Sequence, residues 1–179
     1  MDVARLSGSL KWLARTGWMQ RGVPQSMAES VSQHSFEAAL IALDIGFTLE
    51  SMGLSVDPFK ASVLALIHDI AEAVVGDIPK WSSSRIGSSK DSLEAEAVES
   101  FSVNRGVKNL YSEYQQGDSL EAAIARLSDY LSTCIQARRY IELGFDVGEI
   151  YKSMREAAFN KASSCCPQIT EYITGLCRE

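Results

Sequence analysis

The twelve residues H-D-I-A-E-A-V-V-G-D-I-P, from His68 to Pro79, are the stretch on which the reading of this chain turns. They sit in a strongly apolar run, with Val63, Leu64, Leu66 and Ile67 before them and Ile70, Ala71, Val74 and Val75 within or after the histidine. Asp57-Pro58 supplies an N-cap and a proline at the first helical position, and Gly76 followed by Pro79 ends the pattern. The spacing predicts a helix from about residue 57 to 76, apolar on nearly every side and therefore central in the fold. On such a helix His68 and Glu72 share a face and Asp69 lies at its flank. Carboxylates buried without partners cost several kcal/mol or are forced to protonate. A divalent cation removes that penalty, and so does an ion pair with a buried arginine.

The chain holds only two histidines, so the other one matters. His34 lies in E-S-V-S-Q-H-S, at the start of a helix predicted from about Ser30 to Met52 and closed by Gly53. Asp129 lies in A-I-A-R-L-S-D-Y-L, again an acid inside an apolar periodic helix, with Arg126 one turn before it as an alternative partner. Together His34, His68, Asp69 and Asp129 make a mixed imidazole and carboxylate set. Such a set suits Mn, Co, Ni, Fe or Zn better than Mg or Ca.

Farther out, helical signals continue to dominate and no hairpin turn or internal repeat is found. A first helix runs from about Val3 to Leu13, and residues 15 to 28, punctuated by Gly17, Gly22 and Pro24, read as a loop. Residues 81 to 91, rich in Ser and Gly, read as a mobile loop. Helices follow over 92–103, 107–114 and 119–143, the last opened by Asp118 with Glu121 at capping-box spacing. Asp146 with Glu149 repeats the device before a helix to about Lys161, and a last helix follows Pro167. The expectation is an all-α bundle of about six to eight helices forming one domain over residues 1–179.

Composition narrows the partners. The formal net charge is -6 and no basic block exists to displace counterions from a nucleic-acid backbone, so no nucleic-acid polymer is expected. The apolar runs are too short to cross a bilayer, and the N-terminus has no signal-peptide pattern. Cys134, Cys165, Cys166 and Cys177 form no C-x-x-C pair and read as reduced thiols of a cytoplasmic protein.

With these residues in view, the chain resembles the HD-domain phosphohydrolases, and most closely the YfbR-like 5'-deoxynucleotidases and their eukaryotic HD-domain relatives. The likeness is carried by R-T-G-W-M-Q-R-G-V at Arg15 to Val23, by Glu29 to Ser35, by His68 to Pro79 and by L-S-D-Y-L around Asp129, about two thirds of the chain. H-D-x-x-E-x-x-x-G-D-x-P is its most specific part. The resemblance implies a single HD domain with His34, His68, Asp69 and Asp129 holding one divalent metal ion. It makes Glu72 and Asp77 the acids that position and deprotonate a metal-activated water. Arg21, Arg15 and Trp18 fall where relatives contact phosphate and sugar, and Glu113 matches a further acid on the substrate side. The alternatives from the residues themselves are a turn-forming Asp77, a solvated Arg21 and a packing role for Trp18.

The implied reaction is hydrolysis of a deoxynucleoside 5'-monophosphate to deoxynucleoside and phosphate. The competing expectations are an HD hydrolase for another phosphate substrate, such as a nucleoside triphosphate, cyclic or alarmone nucleotide, and a non-catalytic nucleotide-binding module. Relatives tend to be dimers, so a homodimer is expected. Two departures from the family stand near the substrate side: Gln33 where relatives often have an acid, and extra residues around Pro24 to Ala28.

Overall fold

In the computed structural model, which describes residues 1–177, three helices enclose most of the core. These are α3 (Val31–Ser51), α4 (Pro58–Ile67) and α9 (Leu120–Glu142), with α10 (Gly148–Cys165) packed along α9. Around them lie α1 (Val3–Trp12), α2 (Thr16–Met19), α5 (Glu72–Val75), α6 (Lys80–Ile86), α7 (Ser88–Glu99), α8 (Arg105–Gln116) and α11 (Thr170–Leu176), the last preceded by a 3₁₀ turn at Pro167–Ile169. No strand forms among the described residues, so the fold is all-α. It has more helical segments than the six to eight expected, because several are single turns. No helix among the described residues is long and apolar enough to cross a membrane.

Ile45 and Leu49 of α3, Leu64 of α4, and Ile124, Leu127 and Leu131 of α9 are fully buried against one another. Each such side chain contributes about 1.5–3 kcal/mol relative to leaving it in water. Ile169 and Ile173 close the same core from the C-terminal end.

The α3–α4 pair positions the site. Gly46 of α3 meets Pro58 so closely that an added Cβ would lie 2.7 Å from the proline Cα. Residues 46 and 47 thus lie beside 58 and 59, while Ser62 Oγ donates to Ala39 O at 2.9 Å. The two helices are therefore antiparallel, and the start of α3, with His34, is brought to the end of α4, with His68. At that start Ser30 and Gln33 form a complete capping box, so Gln33 serves the helix terminus rather than a ligand.

Several expectations are corrected. The helix predicted over 57–76 stops at Ile67, and hydrogen bonds from Ile70 to Ile67, Glu72 to Asp69 and Val74 to Ala71 wind the HD segment in tighter three-residue turns. His68 is hence at a helix end, not mid-helix, and such tightened turns commonly mark functional positions. Nor is α4 buried on every side, because Phe59, Val63 and Leu66 face outward. Residues 15–28 include the short helix α2, and the expected mobile loop at 81–91 is mostly helix, broken only at Gly87 with φ 60°. Ser119, not Asp118, caps α9, while Glu121 accepts instead from the Asp57 amide. No side chain caps α10. Apolar periodicity does not distinguish these alternatives, because caps are decided by which oxygen reaches the free amides.

Candidate metal centre and substrate cleft

His34 comes from the first turn of α3, His68 from the end of α4, Asp69 from the tightened turn after it, and Asp129 from the middle of α9. All the helices that form the main core thus donate to one point. His34, His68 and Asp129 present donor atoms within 4.8 Å of one another. Asp129 Oδ1 lies 3.1 Å from His34 Nε2 and 3.8 Å from His68 Nε2. Asp69 Oδ2 stands 3.0 Å from His68 Nε2 and 3.9 Å from His34 Nε2, adjoining that trio rather than completing it.

The donors fit a cation. His68 Nδ1 donates to the Ala65 carbonyl at 2.6 Å, which leaves Nε2 to take either a proton or a metal. That Nε2 is buried and has no hydrogen-bond partner, even though Asp69 is 3.0 Å away, so the carboxylate stands beside it without bonding geometry. His34 is fixed from behind by Ser132 Oγ, 3.2 Å from Nδ1, and Ser132 in turn donates to Glu37. Burial alone would lower the His68 pKa, but Asp69 and, farther off, Asp129 outweigh it and draw the ring up to about 9. Burial opposes ionisation of Asp69 too, yet His68, Arg15 and His34 hold it well below the usual carboxylate range. Asp129 is likewise lowered against its burial, mainly by its bond to His34. A group of two imidazoles and two ionised carboxylates is a strong trap for positive charge, whether proton or metal.

This centre opens into a cleft of about 850 Å³, within the range of small-molecule sites. Glu72 is buried on its floor with Oε2 unpaired, and burial together with Asp69 and Asp77 pushes its carboxyl well above the ordinary value. Arg15 lies there as well, with Nη1 buried and unpaired. Its charge is secured, since Asp69, Glu29, Asp77 and Asp129 together overcome a burial that would lower its pKa. Asp77 is occupied: Oδ2 accepts from the Thr16 amide at 2.6 Å, and Oδ1 is 3.6 Å from Arg15 Nε. It caps α2 and steadies Arg15.

The remaining residues picked from the sequence are placed differently. Arg21 is on the rim and bonds Glu149 at 2.6 Å. Trp18 is only 2 % exposed and borders the cleft with its indole turned inward, Nε1 donating to Glu29 Oε1 at 2.8 Å and the ring edge-on to Tyr140. Burial raises the pKa of Glu29. Glu113 is outside the cleft, held by Lys60 at 2.6 Å and Ser119 at 2.9 Å. Arg126 does not pair with Asp129; it donates to the carbonyls of Tyr114 and Gln115 at 3.0 and 2.9 Å.

The sequence reading missed part of the wall. Lys90, paired with buried Glu94 at 2.7 Å, enters the cleft from α7, and Tyr114 tilts beside His68 at 5.7 Å between ring centres. Lys80 donates to Ser153 at 2.7 Å across the rim, and the Arg85 guanidinium lies 3.7 Å over the Trp81 ring. Lys90 and Glu94 did carry a signal, the (i, i+4) spacing of opposite charges, but it looks the same on a solvated helix.

An all-α bundle whose core helices bring two histidines and two aspartates to the floor of a cleft defines a class of metal-binding helical proteins. The sequence matches the HD domain over residues 7–162, and the chain belongs to the HD-domain family. Among curated proteins it is 35 % identical over 150 residues to the 5'-deoxynucleotidase HDDC2 of Danio rerio, covering 80 % of this chain and 70 % of that one. It is 31 % identical over 184 residues to the protein of that name from Homo sapiens, covering 98 % and 83 %. Among solved structures, a conserved hypothetical protein from Pyrococcus furiosus superposes with a TM-score of 0.81 at 31 % identity, covering 95 % of this chain and 96 % of that one. A Pyrococcus horikoshii protein gives 0.80 at 33 %, covering 96 % of each.

Proposed function

We propose that this protein is a 5'-deoxynucleotidase, hydrolysing deoxynucleoside 5'-monophosphates to deoxynucleoside and phosphate. One observation carries the reading: four unpaired buried polar atoms belong to residues lining one cleft, Arg126 Nε and, of chemical interest, the three atoms His68 Nε2, Glu72 Oε2 and Arg15 Nη1. Buried polar groups ordinarily have partners, so three together call for a ligand. A cation, a water and a phosphate would satisfy them in turn. The names of the curated relatives support the choice of substrate.

His34, His68, Asp69 and Asp129 would hold one divalent transition metal ion, Co, Mn, Ni, Fe or Zn. When bound, such an ion supplies Lewis acidity and makes a coordinated water easier to deprotonate. Arg15 holds phosphate oxygens through its fork, pre-aligned by Asp77. Glu72 accepts a proton from the attacking water, and its raised affinity for protons brings it closer to the range in which a general base works well. Water oxygen attacks phosphorus, the bond from phosphorus to the 5' oxygen breaks, and Glu72 returns the proton to that oxygen. Asp77 thus acts on the reaction through Arg15. Arg21, Lys80, Lys90 and Trp81 select at the rim and wall.

The proposal extends to one domain over residues 1–179, acting in the cytoplasm as a homodimer on a soluble nucleotide. The net charge of -6 and the cysteine spacing support this setting.

The test strips the protein with chelator, restores Mn, Co, Ni, Zn or Mg singly, and measures phosphate released from deoxy- and ribonucleoside 5'-monophosphates. Metal-dependent release favouring the deoxy series, and lost in His68→Ala, is the expected result. Metal uptake without release from any monophosphate would overturn it and turn attention to triphosphates, cyclic nucleotides or a non-catalytic role.

A further inference from the structure

The two histidines of the centre are held from behind in different ways. His68 Nδ1 donates to a carbonyl of its own helix, Ala65 O, at 2.6 Å. His34 Nδ1 instead faces a side chain of another helix, the Ser132 hydroxyl on α9, at 3.2 Å. That hydroxyl lies 3.0 Å from Glu37 Oε2, and Glu37 Oε1 lies 2.7 Å from Arg139 Nη2. A chain of hydrogen bonds therefore runs from a fully buried imidazole and a fully buried hydroxyl out to an exposed guanidinium.

Spacing builds this chain. Glu37 follows His34 by three residues on α3, and Arg139 follows Ser132 by seven on α9, so each pair shares a helix face. Ser132 follows Asp129 by three, which turns both toward His34. A serine in a helix interior usually faces solvent or bonds a carbonyl of its own helix. Ser132 reaches across to α3 instead.

The direction of the bonds follows from counting protons. A hydroxyl has one proton to give. Around Ser132 Oγ stand the Glu37 carboxylate at 3.0 Å, His34 Nδ1 at 3.2 Å and the His34 carbonyl at 3.5 Å. The carboxylate is nearest and is paired with a guanidinium, and bonds to ionised acceptors are about twice as strong as neutral ones. It takes the proton, and the Ser132 oxygen is left to accept from Nδ1–H. A cation bound at Nε2 leaves the ring a single proton, on Nδ1, and the chain is oriented to receive it. Nε2 then points to the side where Asp129 stands at 3.1 Å.

We propose that Ser132, Glu37 and Arg139 are positioning residues for the metal centre, holding the His34 proton on Nδ1 so that Nε2 is the nitrogen offered to a divalent cation. The inference rests on the metal centre proposed above and adds the residues that set its affinity. Because the chain ends at Arg139, a buried centre answers to an ion pair at the surface.

Chelator competition on metal-stripped full-length protein tests this by giving the affinity for Co(II). Proton NMR of the Co(II)-loaded protein shows each coordinated imidazole N–H as a shifted, exchangeable line. Ser132→Ala and Glu37→Gln weaken Co(II) binding about 10–100-fold, the usual worth of a partner behind a ligand. Arg139→Ala weakens it a few-fold, and Ser128→Ala, a control on the same helix, leaves it unchanged. Glu37→Gln is nearly isosteric. With its oxygen drawn to Arg139, its amide nitrogen donates to Ser132 and turns the hydroxyl proton toward Nδ1. The His34 line is then displaced in Glu37→Gln and exchanges faster in Ser132→Ala, while the His68 line stays. Wild-type affinity with both lines in place would overturn this inference and leave the metal centre standing. Failure of the wild type to take up Co(II) would overturn both. Affinity losses matched by equal losses in the metal-free urea midpoint, in both variants, would overturn it in favour of a structural role.

Discussion

On the floor of the cleft His68 Nε2, Glu72 Oε2 and Arg15 Nη1 are buried without partners, whereas on its rim Arg21 bonds Glu149, Lys80 bonds Ser153 and Arg85 stacks on Trp81. The floor is anchored by the core helices α3, α4 and α9, which carry or adjoin His34, His68, Asp69 and Asp129, while Glu72 opens α5 and Arg15 precedes α2. Rim residues stand in the turn after α2, on the short helix α6 or on the exposed side of α10. Unsatisfied groups held rigidly are costly in the free protein and are prepared for a ligand's charge. Groups already satisfied by a neighbour must exchange one partner for another, so their contribution to binding is small. Chemistry is therefore assigned to the floor and selection to the rim.

That division can be broken experimentally, beginning where the effect is greatest. Replacing His68 or Asp129 with Ala removes a donor from the centre. Metal content measured by mass spectrometry then falls below one ion per chain, and activity falls more than about 10³-fold, since partners outside the ligand shell alone are worth about 10–100-fold. Retained metal with full activity would remove the residue from the centre. Glu72→Gln sharpens the floor further, separating binding from proton transfer. It keeps its metal while kcat drops by about 10²–10⁴-fold, the usual worth of a positioned base; an unchanged kcat would give the proton to another group.

The two arginines compare floor and rim directly. Arg15→Ala lowers kcat/KM by roughly 10–100-fold, through loss of charged hydrogen bonds worth about 1.5–3 kcal/mol. Arg21→Ala costs less than about 5-fold, as expected for an exposed ion pair worth about 0–1 kcal/mol. Steady-state kinetics giving the reverse order would return the phosphate to Arg21. Trp18→Phe has the smallest effect on activity. It strands the buried Glu29 carboxyl, so the urea midpoint falls by the equivalent of about 1–3 kcal/mol while kcat/KM stays within a few-fold. A loss in kcat/KM larger than the loss in stability would place the indole against substrate.

The outcomes for Glu113 and Trp18 explain where reading by motif stops. Both matched a short pattern, yet Glu113 is engaged by Lys60 and Ser119, and Trp18 by Glu29 and Tyr140. Short matches identify a segment but not the direction in which its side chains point. The HD segment is the opposite case. His68, Asp69 and Glu72 were legible because three ionisable groups in so apolar a run require a shared partner wherever the helix ends. Even there the helix was drawn too long, since apolar periodicity continues through the tightened turns at 68–71.

The sequence by itself determined that the chain is helical and that acids set in apolar helical runs, Asp69 and Asp129 beside His34 and His68, had to meet some opposite charge. Those are properties of spacing and of the cost of burying charge, and they are local. Only the tertiary structure decided that Arg15 rather than Arg21 reaches the floor, that Asp77 is occupied by the Thr16 amide, and that Phe59, Val63 and Leu66 face outward. Each of those depends on the antiparallel approach of α3 and α4 at Gly46 and on the position of α2 relative to Asp77. Which long-range neighbour wins an arginine, an amide or an apolar ridge is a competition among packed alternatives, and no spacing along the chain records its result.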